Sequence, residues 1–296
     1  MDYAQFVLAI KEKMELLLNE GMSLSIHTTL KNNDRKRVGI TFCDEKLNIS
    51  PTIYLEEYYM QYQNGFTLDE VIECIWQIYE NVKDETPCNV ESIKDFKKIR
   101  SKINCKLICA EKNAEYLENM PHISFLDFAV TYYILFEFHE KGLSTIPITK
   151  ELQTYWNVSV QDLHKIAIEN GPDILPATFK PMNMVIEELL GHACDDMSMQ
   201  EDIMFVLTND LRNYGASCLL YPGILEQIAG QLGENFYLLP SSIHEWIIVP
   251  ESHCPGEEIL LDMVTEMNAT QMDPEEILLD KIYYYDSQAR LIFNRP

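Results

Sequence analysis

The chain has 296 residues, of which 47% are hydrophobic and 24% are charged, which is the composition of an ordinary globular protein. A chain of this length buries enough apolar surface to fold without disulfides or a metal. Its formal charge of −24 repels phosphate backbones and anionic lipids, which argues against a nucleic-acid binder and a membrane-surface protein. The composition also excludes the collagenous, disordered and disulfide-scaffold classes.

The amino-terminal segment has neither a basic n-region nor an unbroken apolar core, so it does not resemble a secretory signal. The most apolar stretch elsewhere, Phe125 to Phe138, contains Asp127 and Glu137 and is too short to cross a bilayer. We therefore expect a cytoplasmic protein. The eight cysteines are then expected to be free thiols, since that compartment is reducing and several of them lie in apolar segments.

The amino-terminal part of the chain predicts helices around a small sheet. Residues 2–20 have apolar side chains at helical spacing, with Asp2 as the N-cap and Gly21 as the end. The alternating segments SLSIHTTL and RVGITF predict a hairpin across the turn sequence KNND. A short strand, PTIYL, and two helices follow, and a capping box of Thr67 and Glu70 opens the second helix.

A polar stretch at residues 83–91 is the only candidate linker. It divides the chain into an amino-terminal α+β subdomain, 1–85, and a carboxyl-terminal α+β domain, 92–296, although one compact unit is the open alternative. Next, the pattern predicts a basic helix, a strand around Cys105–Cys109, and a long strand SFLDFAVTYYILFEF with GLSTIPIT as its neighbour. Capped helices and the strand DILPATF follow, and the helix LHKIAIEN is expected to end at Gly171.

The carboxyl-terminal part predicts three hairpins, formed by MFVLTND with GASCLLYP, NFYLLPSS with HEWIIVP, and IYYYD with RLIF. Pro222 is expected in the first turn of an intervening helix, and the pair at 273–274 starts a short one. We expect the strands from Met204 to Phe293 to share a mixed or antiparallel sheet with helix 223–232 packed on one face. Because hairpins outnumber parallel crossovers, the predicted class is α+β, with mixed or antiparallel sheets built from hairpins and interspersed helices.

The negative charge is concentrated in one part of the chain. Between residues 181 and 280, one cation, Arg212, stands against nineteen carboxylates, so this segment carries −18 of the total. One interpretation is a solvated acidic surface. The other is an electronegative face for a basic partner, because a surface of one sign steers association.

One turn brings together the residue types of a nucleophilic hydrolase. Ser241, Ser242, His244 and Glu245 lie between two predicted strands, and a serine needs an imidazole to take its proton and an acid to orient that ring. Ser242 and His244 face the same side of an extended chain, whereas Glu245 faces the other. The alternative is a polar turn whose hydroxyls bond the neighbouring backbone.

Other candidate chemistry is less specific. No metal is predicted, because the possible ligands do not have the spacing of a zinc site; they are His192, Cys194, Asp195, Asp196, His244, His253 and Cys254. No nucleotide or zincin motif occurs, so no cofactor is expected. A basic patch is either a solvated helix face or an anion contact; it comprises Lys94, Lys97, Lys98, Arg100, Lys102 and Lys106, with the turn Lys31 to Arg37.

Several segments carry a resemblance, above all the block LLYPGILEQIAGQLGENFYLLPSSIHE, together with PHISFLDFAVTYYILFE and ITKELQTYWNVSVQDLHKIAIENGPDILP. They resemble an uncharacterised domain-of-unknown-function family of anaerobic Gram-positive bacteria. The segment from Trp156 to Asn170 is also similar to a second uncharacterised bacterial family. The resemblance implies a bacterial cytoplasmic protein and carries no catalytic residue.

The sequence thus favours a non-enzymatic cytoplasmic binding or regulatory module whose acidic carboxyl-terminal half recognises a basic protein or peptide. It is not expected to bind nucleic acid or a membrane. The alternative is a hydrolase that uses Ser242, or Ser241, with His244. A carboxylate within reach of the His244 ring, inside a concave pocket, would favour the hydrolase.

Overall fold

The structure, a computed structural model, describes residues 1–19, 21–44, 52–82, 93–139, 142–191 and 203–295. The described chain divides into two compact units, residues 1–95 and 96–296. The predicted linker at 83–91 lies outside the described residues.

The described residues of the first unit form a three-stranded antiparallel sheet with helices. Its apolar core includes Phe6, Ile10 and Met14, which are fully buried because positions four residues apart share one face of a helix. The strands lie in the order β1-β2-β3: β1 (Met22–Leu30), β2 (Lys36–Asp44) and β3 (Thr52–Tyr54). The helices are α1 (Tyr3–Glu15), α2 (Glu56–Gln63) and α3 (Leu68–Val82).

The predicted hairpin is confirmed, since β1 pairs antiparallel with β2 and Ile26 faces Ile40. Helix α1 is capped by Asp2, as predicted, but it ends at Glu15 rather than near residue 20. Leu16 is 84% exposed, so no packing surface supports a further turn of the helix.

The described residues of the second unit form two antiparallel sheets. In the smaller sheet β6 pairs with β4, and also with β5 and β7: β4 (Ile103–Cys109), β5 (His122–Phe125), β6 (Phe128–His139) and β7 (Gly142–Pro147). The larger sheet has the order β13-β12-β10-β11-β9-β8: β8 (Ala177–Pro181), β9 (Phe205–Asn209), β10 (Phe236–Ser242), β11 (Glu245–Pro250), β12 (Ile282–Asp286) and β13 (Leu291–Arg295).

Helices cover these sheets. They are α4 (Phe96–Ile99), α5 (Ala114–Asn119), α6 (Lys150–Trp156), α7 (Val160–Ile174), α8 (Met182–Leu190), α9 (Ile224–Leu232) and α10 (Glu257–Thr270). Helix α7 packs against β4, and α10 packs against β10 and β12. The two sheets meet where the Phe128 ring contacts Trp246 and Tyr283, each with ring centroids 5.6 Å apart.

The α+β class is confirmed, and the strands between Met204 and Phe293 that form β9 to β13 share one antiparallel sheet. The helices that pack on this sheet are α8, against β8 and β9, and α10, against β10 and β12, whereas α9 makes its main contacts with a 3-10 turn at Gly215–Leu220. That turn is the segment GASCLLYP, for which the sequence predicts a strand. A β-carbon on Gly215 would lie 2.4 Å from the carbonyl oxygen of His244, so a tertiary contact fixes this backbone.

Further expectations are wrong in detail. Pro222 lies before α9 rather than in its first turn, because the helix begins at Ile224 with Gly223 as the N-cap. The long strand SFLDFAVTYYILFEF is two strands, because Leu126 takes a left-handed conformation with φ 52° and reverses the chain. Helix α7 continues past Gly171 to Ile174. The chain at 273–276 forms a turn rather than a helix, in which the Asp273 side chain accepts the Glu275 amide.

Candidate functional site

The hairpin between β10 and β11 holds the predicted site residues. Ser242 pairs with Glu245, so Ile243 and His244 form a two-residue turn. The Ile243 amide donates to the Glu276 carbonyl, and the Ile243 carbonyl accepts from Ala216. The turn is therefore clamped between two distant segments of the chain, and its backbone groups have partners.

The His244 ring is held on both of its nitrogens. Nδ1 accepts the Tyr214 amide at 3.1 Å, so the proton of the neutral ring is on Nε2. Nε2 lies 3.6 Å from Glu276 Oε1, and the ring stacks on Tyr214 at 5.9 Å. Burial lowers the pKa of His244 despite the opposing effect of Glu276, and Lys106 lowers it further. The ring is thus kept neutral at pH 7.

The serines do not complete a catalytic dyad in this geometry. Ser242 Oγ accepts the His244 backbone amide at 2.9 Å, which is the local turn bond that Ser residues commonly form. Ser241 is buried, and its carbonyl accepts the Leu278 amide. Since His244 Nδ1 is already an acceptor for Tyr214 and Nε2–H faces Glu276, neither nitrogen is free to take a serine proton. The hydrolase interpretation therefore gains no support from the contacts of this turn.

Glu245, like His244, is affected by burial and by Glu276. Burial raises the pKa of Glu245, and Glu276 raises it too, whereas Arg212 lowers it. The carboxylate beside the His244 ring is Glu276, as expected if Glu245 faces the other side of the strand. The sequence offers no local signal for Glu276 or Tyr214, since both reach the turn from other segments.

A small polar concavity of about 100 Å³ lies between β8, β9 and α8. Lys180 and Arg212 both donate to the Glu188 carboxylate, each at 2.6 Å. These two ion pairs hold Lys180 and Arg212, the two cations that line the concavity. The concavity is therefore lined by a partly exposed ion-pair network, in which a carboxylate already binds both cations.

The exposed face of α10 is acidic. Glu258, Asp262 and Glu266 are all exposed and succeed one another at four-residue spacing, so they form one stripe along the helix. We call these three residues the α10 stripe. The opposite face buries Leu260 and Val264 against the larger sheet.

The possible metal ligands lie only partly within the residues that the structure describes. Within the described ranges no group of three or more His, Cys, Asp or Glu side chains is arranged to hold a metal ion, and His192, Cys194, Asp195 and Asp196 lie outside those ranges. In the basic patch, Lys97, Lys98, Arg100 and Lys102 are exposed, whereas Lys106 lies over the Tyr214 ring at 5.1 Å. None of the described helices is long and apolar enough to cross a membrane.

Comparison with known protein families gives a match over nearly the whole chain. A family of unknown function, DUF5688, matches residues 3–287. The chain belongs to this family. The match spans both compact units, so membership of DUF5688 applies to nearly the whole chain. No curated protein and no solved structure matches the chain.

Membership of DUF5688 brings no activity and no catalytic residue to this site. Only the surface and the side chains of this chain therefore indicate its function. The His244 turn is a structural clamp by its contacts, and the α10 stripe is the candidate interaction surface.

Proposed function

We propose that this protein is a binding module that recognises a basic protein or peptide through the α10 stripe. The observation that carries the proposal is the row of three exposed carboxylates on a helix that contains no Lys or Arg. Like charges four residues apart destabilise a helix by a few tenths of a kcal/mol per pair. A basic partner would turn this repulsion into attraction.

Three other carboxylates in the second unit differ from the stripe in that they are paired, which supports the proposal. Glu188 binds Lys180 and Arg212, Asp280 binds Lys112, and Glu257 lies near Arg295. Among the described residues, by contrast, no cation forms an ion pair with a residue of the α10 stripe. The stripe therefore keeps its charge available for a partner, in a segment that already carries −18.

The test is binding of a fluorescent ten-lysine peptide, measured by anisotropy over a salt series. Exposed charge interactions are screened beyond about 10 Å at roughly 0.1 M ionic strength, so the affinity should fall as salt rises. Replacing Glu258, Asp262 and Glu266 with Lys should weaken binding by at least about tenfold at low salt.

The matched control replaces three exposed carboxylates elsewhere in the second unit, Glu111, Glu118 and Glu151, with Lys. Both triple variants change the net charge by the same amount. Equal loss of binding in the two variants would show that net charge alone attracts the peptide and would refute the proposed role of the stripe. A duplex DNA probe should not bind the wild-type protein, and a shift that Lys97→Glu with Arg100→Glu removes would place a nucleic-acid contact on the basic patch instead.

A further inference from the structure

The two edges of the larger sheet differ in how they are protected. At one edge, β8 contains Lys180 and Pro181, and such residues are the usual means by which proteins prevent further strand pairing. At the other edge, β13 has the sequence LIFNR, with no Pro or Lys. Leu291 is 56% exposed and Phe293 is 43% exposed. Among the described residues, no strand pairs with the outer side of β13.

Arg295, the one cation within β13, does not protect this edge from pairing with another strand. Arg295 lies near Glu257, with Nε 3.5 Å from Oε1, and its guanidinium lies over the Tyr284 ring at 4.8 Å. It is therefore engaged with the face of the sheet and with α10. A strand that approached β13 from the side would meet backbone and apolar side chains.

A groove lies at the amino-terminal end of β13. Its volume is about 510 Å³, within the range of ligand pockets, and most of its lining is aliphatic or aromatic. The apolar lining comes from four segments of the chain and includes Leu126, Ile168, Leu220, Leu225, Leu291 and Ile292. Two polar residues, His164 and Arg290, also line it.

His164 and Arg290 differ in how they are held. The Tyr132 hydroxyl lies 3.2 Å from His164 Nδ1, which fixes that ring. Arg290 is exposed at a left-handed turn position, φ 55°, just before β13. It has no ion pair or hydrogen bond from its side chain within the part of the chain that the structure describes. A carboxylate is the natural partner for this guanidinium.

A second copy of the chain does not fit this edge. Antiparallel self-pairing about Phe293 would place Arg295 of one copy opposite Leu291 of the other, and β13 has no carboxylate to offer to Arg290 of the other copy. Each copy also carries a net charge of −24, which opposes association.

We propose that β13 is a docking edge for an extended segment of another protein. The segment adds as a further antiparallel strand, inserts an apolar side chain into the groove and places a carboxylate beside Arg290. Strand addition of this kind takes its affinity from main-chain hydrogen bonds and its specificity from pockets for alternate side chains. The docking edge is a second surface, and it does not depend on the proposed role of the α10 stripe.

The probe is a short synthetic peptide of alternating valine and threonine with a glutamate at its carboxyl end, which an antiparallel strand places near Arg290. Binding is measured by calorimetry with wild-type protein and with the double variant Leu291→Lys, Phe293→Lys. Both positions are exposed, so the fold should be kept, and affinity should fall by at least about tenfold. The control, Ile203→Lys with Leu211→Lys, changes two equally exposed apolar residues beside β9 and should bind like wild type.

Two further arms test the mechanism of docking. Methylating one set of alternate peptide amides should abolish binding, whereas methylating the other set should not, because only one set faces β13. Arg290→Glu should reverse the preference, so that a peptide ending in lysine binds better than one ending in glutamate.

Three results would overturn the proposal: no binding at millimolar peptide, equal binding by both methylated peptides, or equal binding by the β13 double variant. A wild-type dimer in sedimentation that the double variant loses would identify a second copy as the occupant, and would also overturn it. None of these results bears on the ten-lysine assay, so the two proposals fail separately.

Discussion

Gly171 shows how one missing methyl group sets the packing of a helix. A β-carbon at this position would lie 2.6 Å from Tyr221 Cε1, and the Tyr221 hydroxyl is fixed by a hydrogen bond to the Leu175 carbonyl. We expect Gly171→Ala to lower the free energy of unfolding by about 1–3 kcal/mol, because a tightly packed site cannot accept the extra volume. Urea denaturation followed by tryptophan fluorescence measures the change.

Gly230 provides the matched control, since it lies within α9 and a β-carbon there would have nothing within 4 Å. Gly230→Ala should raise the free energy of unfolding by about 0.5–1 kcal/mol, because alanine restricts the unfolded chain and favours a helix. If both alanines stabilised the protein, the close approach of Tyr221 would not matter.

His244 should make stability depend on pH. Its pKa is lowered in the folded protein, whereas the unfolded chain has the ordinary value of about 6.5. Above that value both states are neutral, and as pH falls below it the unfolded state binds the proton first. The folded state should therefore lose stability as pH falls from 7.5 to 6, a window above the titration of most carboxylates.

His244→Asn should reduce this loss, because asparagine offers an acceptor oxygen for the Tyr214 amide but does not titrate. The pKa of His164 is lowered in the same direction by burial, so part of the pH dependence should remain. An unaltered slope in His244→Asn would contradict the assignment.

In helix α10, we expect the acidic residues that favour binding of a basic partner to lower the stability of the protein. Glu266 lies near its carboxyl end, where the helix dipole favours cations, and it follows Asp262 at four-residue spacing. We expect Glu266→Lys to raise the thermal midpoint, with a gain of about 0.3–1 kcal/mol, and to weaken binding of the ten-lysine peptide. A variant that is more stable and binds less would show that the acidic residue serves the partner rather than the fold.

Glu258→Lys is the comparison within the same helix. Glu258 lies in the first turn, where the dipole favours a carboxylate, so its replacement should stabilise less than that of Glu266. Calorimetric midpoints of the two variants, measured side by side, check this difference. The expectation fails if Glu258→Lys proves to be the more stable of the two.

Short sequence patterns, such as capping residues, correctly predicted the helices that depend on neighbouring residues in the chain. The Thr67 and Glu70 box is present, with the Thr67 amide donating to Glu70 at 2.7 Å, and the helix predicted from LHKIAIEN begins at a capping residue, Ser159. The segment GASCLLYP was missed because its conformation follows from a contact of Gly215 with Thr208 and His244. The approach of Glu276 to His244 was missed for the same reason, since no short pattern encodes contacts between distant segments.

We expect the cysteines of the chain to differ in their reactivity toward a thiol reagent, because they differ in exposure. Cys43 is exposed, whereas Cys105, Cys109 and Cys218 are buried. Burial raises the pKa of Cys105 and of Cys218 to about 12, and a thiol reacts as its thiolate. We expect few fast-reacting groups in the native protein, with Cys43 among them.

The measurement is titration with a chromogenic thiol reagent before and after denaturation without reductant. All eight thiols of the sequence should react in the denatured protein. Cys43→Ser should remove one fast-reacting group. Fewer than eight thiols from freshly purified wild-type protein would reveal disulfides and contradict the expectation of a reduced chain.

The strand order of the larger sheet bears on how the protein is made. Strand β10 pairs on one side with β11, its neighbour in the chain, and on the other side with β12, so that Leu238 meets Tyr283. All seven residues of β10 are buried in the finished sheet. While the chain is being synthesised, the backbone groups along one edge of β10 stay unpaired until β12 leaves the ribosome. Unpaired strands of this kind are where nascent chains aggregate, so chaperone demand should peak in that interval.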